Sequence, residues 1–335
     1  MKPRRLLMIS TDRKIFEEGS DVRARQIQYA KDWDEVHIVV FAGKEFNEAV
    51  LSNNCWAYST RSRSKFTYPF DAMRLGRFII EKRGITDITC QDASLTAMVG
   101  VSLKKQFHIP LEIQIHEDIG SPNYGYSWTN KIRKFLALNY IPRADSIRAV
   151  SNRIKEYLVG RLNVSDSKIT VRPIFVDVEA IKRAPVIKGA DLHKKYPQFE
   201  KIILMASRLT KEKNIRLGLD AFEIVSQRSP KVGLIIVGEG SQGSNLKSRI
   251  SKLNLDRSVI FEPWTDKNTL ISYYKTADLY LNTSLFEGYG MALVEAKAAG
   301  CKIVSTDVGV AKEIGVTIVE PDPEAIAAAV LRVLV

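Results

Sequence analysis

Short apolar runs that alternate with helical stretches, twice over, constrain what this chain can fold into more than any other feature. The first series starts with "LLMIS" (6–10). It is followed by "EEGSDVRARQIQYAKDW", where Ser20 or Asp21 can cap a helix carrying Val22, Ile27 and Ala30. It continues through "VHIVVFA" (36–42), "DITC" (87–90), "LEIQIH" (111–116) and "SIRAV" (146–150), with a helical stretch at 94–107. Apolar strands separated by helical patterns imply parallel βαβ units with helices on both faces of a sheet.

The register changes around "ITVRPIFVDVEA" (169–180), and a charged stretch with little periodicity follows. Strand candidates then resume with "IILMAS" (202–207), "VGLIIVG" (232–238), "SVIFEP" (258–263), "ADLYLNTS" (277–284), "CKIVST" (301–306) and "GVTIVE" (315–320). This second series has strands enough for its own core, as a chain of 335 residues leads one to expect. The expected fold class is α/β: two Rossmann-like, doubly wound domains, 1–176 and 177–335, facing across a cleft.

Composition narrows partners and compartment. No run approaches the roughly 18 uninterrupted apolar residues of a membrane span. The start, "MKPRRLLMIS", lacks the apolar core and cleavage site of a signal peptide, so a cytoplasmic protein is expected. Cys55, Cys90 and Cys301 are widely spaced and the four histidines are scattered, so neither a disulfide framework nor a metal is expected. The net charge of +12 is uneven: residues 1–176 hold 28 Lys and Arg against 19 Asp and Glu, residues 177–335 hold 22 against 19. The basic first half, with "RSRSK" (61–65) and "KIRK" (131–134), suits nucleic acid, anionic lipid, an anionic small molecule, or a solvated face with no partner.

Ligands of open parallel sheets bind beyond the carboxyl ends of the strands, so the residues directly after each run are the ones to inspect. After "IILMAS" come Arg208 and Lys213, two cations in a loop that enters a helix, together able to hold an anion. After "VGLIIVG" the chain carries Gly238-x-Gly240-x-x-Gly243. The triplet matches the dinucleotide fingerprint, but it follows the second strand of its domain rather than the first, so close approach to a phosphate or nucleoside is the better expectation. After "ADLYLNTS" comes "LFEGYGMALVEAKAAG": Glu287 on a loop, Gly288 and Gly290 around Tyr289, then a helix carrying Glu295. With core-like Val294 and Ala298 beside it, Glu295 is polar on an otherwise packed helix and needs donors, which sugar or ribose hydroxyls supply. Each residue also has a plainer reading, as a surface cation or a solvated helix acid.

These segments resemble the retaining nucleotide-sugar glycosyltransferases of the GT-B fold, specifically glycosyltransferase family 4 (glycosyl transferases group 1). "EGYGMALVE" is similar to the family's E-x7-E arrangement, "ASRLTKEKN" to its G-R-L-x-x-E-K-G segment, and "LIIVGEGSQGSNL" to its I-V-G-x-G-P segment. In the first half "FEEGSDVRARQ" resembles the glycine loop and its helix, "IQIH" the strand ending in a histidine, and "ADSIRAVSNRIKEYL" the A-D-x-I-x-A-V-S segment.

The resemblance implies roles. Arg208 and Lys213 would hold the donor diphosphate, and Glu295 the ribose. Glu287, with backbone groups of Gly288, Tyr289, Gly290 and Met291, would position the donor sugar and its phosphate. His116 would sit near the transferred sugar, and Gly19 would let its loop approach the diphosphate. Gly238 and Gly240 would face the nucleotide, and Pro263 and Trp264 the base, unless Trp264 is core. No cofactor or metal is implied; the donor is a UDP- or GDP-sugar, and the acceptor a glycan or lipid-linked molecule of the cell envelope. Peripheral contact with an anionic membrane is the expectation for the basic half.

The chain departs from the pattern at "IFVD", which lacks the family's Asn-Gly, and at "TS" where the family has Pro-Ser. The resemblance also leads one to expect a longer C-terminal region, so the chain reads as cut short. The alternatives are an NAD-dependent oxidoreductase, resting on the glycine triplet alone, and a basic nucleic-acid-binding protein, for which no recognition motif is present.

Overall fold

A computed structural model describes residues 3–334. The chain divides into two compact units, Met1–Arg172 and Pro173–Val335.

The first unit opens with β1 (Arg5–Ser10), α1 (Asp21–Ala30), β2 (Glu35–Val40), β3 (Ala49–Ser52) and β4 (Cys55–Ser59). It continues with α2 (Tyr68–Arg83), β5 (Asp87–Cys90), α3 (Leu95–Phe107), β6 (Leu111–Ile115) and α4 (Trp128–Tyr140). It closes with β7 (Ser146–Ala149), α5 (Asn152–Leu162) and β8 (Ile169–Val171). The eight strands form one sheet in the order β3-β4-β2-β1-β5-β6-β7-β8. Ser20 caps α1 through its hydroxyl, which accepts from the Arg23 amide.

The sheet is parallel except at one edge, where β3 runs antiparallel to β4. Sequence patterning did not anticipate this hairpin. The turn residues Asn53 and Asn54 and the inward alternation of Cys55, Ala57 and Ser59 against Trp56 and Tyr58 were its signal.

The second unit begins with α6 (Val178–Arg183), α7 (Leu192–Lys195), β9 (Lys201–Ala206), α8 (Ile215–Arg228), β10 (Val232–Val237) and α9 (Gly243–Lys252). It goes on with β11 (Val259–Glu262), α10 (Lys267–Thr276), β12 (Leu279–Asn282) and α11 (Met291–Ala298). It ends with β13 (Lys302–Thr306), β14 (Thr317–Val319) and α12 (Pro323–Leu334). All its strands are parallel, in the order β11-β10-β9-β12-β13-β14.

Both faces of this second sheet are buried, because side chains alternate along each strand. Ile203 and Met205 of β9 pack into one apolar cluster with α8, α9 and α12, while Ile202, Leu204 and Ala206 pack into another with α10 and α11. Such double coverage makes "IILMA" apolar throughout rather than alternating. Among the described residues no helix is long and apolar enough to cross a membrane.

Candidate functional site

In the second sheet the strand order reverses between β9 and β12, so the chain leaves these two neighbours in opposite directions. A crevice opens at the carboxyl ends of strands at such a switch point. The residues following β9 and β12 are those singled out by the sequence, Arg208 and Lys213 from one strand and Glu287 from the other.

The two loops are tied together. The Leu285 amide donates to the Glu212 carbonyl at 2.8 Å, and the Thr283 hydroxyl donates to the Asn214 carbonyl at 3.0 Å. A 3-10 turn, Lys211–Lys213, then a left-handed Asn214 (φ 47°), deliver the chain into α8. Lys213 is thereby aimed at Glu287: Nζ lies 2.5 Å from Oε1, and the Ser284 hydroxyl donates to the same oxygen at 2.7 Å. Arg208 is differently placed. Its side chain is 69 % exposed, and Nη2 lies 3.4 Å from Glu212 Oε1. Of the two cations, one is enclosed and paired while the other faces solvent.

Gly238 and Gly240 have a steric task. They adopt φ of 140° and 156°. A Cβ on Gly240 would lie 2.5 Å from the Leu209 carbonyl oxygen, and one on Gly238 would overlap the carbonyl oxygen of Ser207. The loop after β10 therefore lies directly on the loop carrying Arg208. Leu209 N donates to Glu239 O at 2.8 Å, and Gln242 N to Leu209 O at 2.9 Å. This contact by itself requires glycine at both positions.

Gly290, at φ 89°, precedes Met291 and the first turn of α11, and that helix entrance carries no side-chain cap. The Tyr289 carbonyl accepts from Val310 N at 2.9 Å, which anchors the segment from behind. Gly288 and Tyr289 lie on the same connection, between Glu287 and the helix. Glu295 is half-buried on α11, where Leu293 and Ala296 face the core. Burial pushes its carboxyl above the ordinary range, opposed by the charge of Lys267. Pro263 and Trp264 directly follow β11 and are exposed; Trp264, at 60 %, is not a core residue.

In the first unit His116 directly follows β6. Its Nε2 donates to Gln114 Oε1 at 3.2 Å, because Gln114 Nε2 is engaged in donating to the Thr89 hydroxyl at 2.9 Å. That leaves the lone pair on Nδ1. Burial and the charge of Arg148 push His116 down to about 4, so the ring is neutral at pH 7. Gly19 stands at φ 77° one residue before the cap of α1.

Sequence reasoning missed the polar residues behind Glu287. Asn282, Ser284, Ser305 and Thr306 are buried at the carboxyl ends of β12 and β13. Ser284 Oγ lies 2.9 Å from Asn282 Oδ1, and Thr306 Oγ1 donates to the Ser284 carbonyl at 2.7 Å. Their signal was present as polar letters closing two otherwise apolar strands. Among the described residues no group of acids, His and Cys is arranged to hold a metal.

A family model described as Glycosyltransferase Family 4 matches residues 28–180, and one described as Glycosyl transferases group 1 matches residues 191–335. An uncharacterized glycosyltransferase of Methanocaldococcus jannaschii is 26 % identical over 88 % of this chain and 80 % of its own length. The alpha-monoglucosyldiacylglycerol synthase of Streptococcus pneumoniae is 29 % identical over 51 % of this chain and 40 % of its own. The chain thus spans most of the first relative and less than half of the second. A solved Escherichia coli structure, described as trehalose-6-phosphate bound with UDP-2-fluoro glucose, superposes with a TM-score of 0.78 at 16 % identity. That match covers 98 % of this chain and 91 % of the other, and the shared fold is GT-B.

Proposed function

The chain belongs to the glycosyltransferases, its first half matching Family 4 and its second group 1, and on that premise we propose a retaining, metal-independent transfer of a sugar from a UDP- or GDP-sugar to a glycan or lipid-linked acceptor. The observation that carries the reading is the convergence of Lys213, Glu287 and the uncapped start of α11 at the switch point of one sheet.

In the reaction the bond between the anomeric carbon and the diphosphate oxygen breaks, and its electron pair stays on the diphosphate. The acceptor oxygen bonds to that carbon on the face the diphosphate leaves, and its proton passes to the departing phosphate oxygen. The demand on the protein is to neutralise charge developing on the diphosphate. Two cations and the free amides of a helix start meet that demand, since fixed donors and charges aimed at a developing oxyanion need no reorganisation. Glu295 receives the ribose hydroxyls, which give its desolvated carboxylate the donors it needs. Glu287 holds Lys213 in place and then takes a hydroxyl of the donor sugar. The exposed Trp264 offers a face to the base.

The glycine triplet does not favour a dehydrogenase reading, because Gly238 and Gly240 already answer to packing on Ser207 and Leu209 and the triplet follows the second strand of its unit rather than the first. A thermal-shift panel of UDP, GDP, ADP, their sugars and NADH tests the proposal. Stabilisation by one nucleoside diphosphate and its sugar is expected. Stabilisation by NADH alone, or by none of them, overturns it.

A further inference from the structure

α4 is built inside out. At about 100° per residue, its buried positions Asn130 and Ala137 share one direction, and the side facing solvent is centred on Trp128, Ile132 and Phe135. The inward polar residue is satisfied, since Asn130 Nδ2 donates to the Tyr124 carbonyl at 2.9 Å. The outward residues are left to water: Trp128 is 73 % exposed and Phe135 66 %. Lys131 borders this stripe, while Arg133, which pairs with Glu117 at 3.8 Å, and the half-buried Lys134 lie to either side nearer the inward face; α4 itself contains no acid.

α2 repeats the arrangement. Phe70, Arg74 and Phe78 lie along its outer line at four-residue intervals, opposite the buried Ala72 and Ile79, and Phe66 just before the helix is 90 % exposed. Both helices pack against α3, so they belong to one layer of the first unit. Segments 61–83 and 128–140 together carry ten Lys and Arg against two acids, Asp71 and Glu81.

We propose that the outer face of this layer is a docking surface for an anionic lipid bilayer, with Trp128 and Phe135 seated at headgroup depth. Large apolar side chains at the outermost line of a helix, with cations to either side, match the cross-section of a bilayer interface. Rings enter the acyl boundary while the flexible stems of Lys and Arg reach the phosphates. A protein partner would meet the same aromatic rings, but the near absence of acids suits a surface that is anionic everywhere. Several separated rings on two helices also suit a plane better than a pocket. This places the chain where a lipid-linked acceptor is found, yet it does not rest on the transfer reaction, because adsorption is measured without turnover.

The test is co-sedimentation with phosphatidylcholine vesicles, with and without phosphatidylglycerol, at low and physiological ionic strength. The expected result is binding that requires the anionic lipid and weakens with salt. Trp128→Ser combined with Phe135→Ser is expected to reduce it at least about tenfold, as is Lys131→Glu combined with Lys134→Glu. Phe175→Ser, an exposed ring of the second unit, is the control and is expected to bind as the parent does. Apart from the half-buried Lys134 the replaced side chains are exposed, and circular dichroism checks that each variant is folded. Failure to bind anionic vesicles at low salt overturns the proposal. So does charge-dependent binding that survives loss of both rings, which means adsorption without insertion. Concentration-dependent dimerisation abolished by the ring variants, with no vesicle binding, assigns the face to a second copy of the chain and also overturns it.

Discussion

Lys213 Nζ and Glu287 Oε1 lie 2.5 Å apart although 74 positions separate the two residues in the chain. Both side chains are largely enclosed, at 16 and 17 % exposure. The cation is therefore paired in the absence of ligand, and under the proposed function an incoming diphosphate must share or displace a carboxylate. Breaking such an enclosed pair from one side leaves the other charge without compensation.

Two substitutions at this switch point are expected to separate chemistry from stability. Arg208→Ala and Lys213→Ala each lower turnover by about 2.7–4 kcal/mol of lost oxyanion stabilisation, or two to three orders of magnitude. Only Lys213→Ala also lowers Tm, because it strands Glu287, whereas Arg208 stands in solvent. Steady-state kinetics with a melting curve checks both. Near-parental turnover in the two variants would remove the assignment.

Glu295→Gln is expected to weaken nucleoside diphosphate binding about tenfold or more, since a hydrogen bond to a charged acceptor contributes roughly 1.5–3 kcal/mol. Without ligand the variant melts at the same temperature or higher. The folded protein holds this carboxyl above its ordinary value, so at pH 7 the ionised form opposes folding and the amide does not. Calorimetry showing unchanged affinity returns Glu295 to an ordinary helix acid.

Acid is expected to destabilise the first unit through His116. Its folded value, about 4, lies below the ordinary histidine value of about 6.5, so between the two the unfolded chain binds the extra proton. Stability is complete above that window and falls as the pH falls through it. Urea unfolding at pH 7 and about pH 4.5 should show a loss greater by about 2–3 kcal/mol in the parent than in His116→Asn. An equal loss in both proteins contradicts this assignment.

Gly240→Ala is expected to destabilise the second unit by about 1–3 kcal/mol, from a left-handed φ and a Cβ driven against the Leu209 carbonyl. Turnover falls with it, because the displaced loop carries Arg208. A variant as stable and as active as the parent would show that the two loops are free to separate.

Much of this was legible in the letters. Continuous apolar runs marked strands covered on both faces, and polar residues just beyond them marked the carboxyl ends where β9 and β12 diverge. Arg208, Lys213 and Glu287 were found that way. What the letters hid was pairing at a distance: no pattern says that Lys213 is held by Glu287 while Arg208 is not. Nor does local spacing reveal that Gly238 and Gly240 touch the neighbouring loop, because the atoms they avoid lie some thirty positions earlier. The inverted α4 escaped as well, since "WTNKIRKFLALNY" has helical periodicity whichever side faces out.

The packing of the two glycines has a consequence for descent. Their requirement is geometric and does not depend on turnover. A descendant of this chain that had lost Lys213 and Glu287 would still need both glycines to close its fold. Their survival in a related chain would therefore report a loop crossing, and would be silent on whether that chain is still an enzyme.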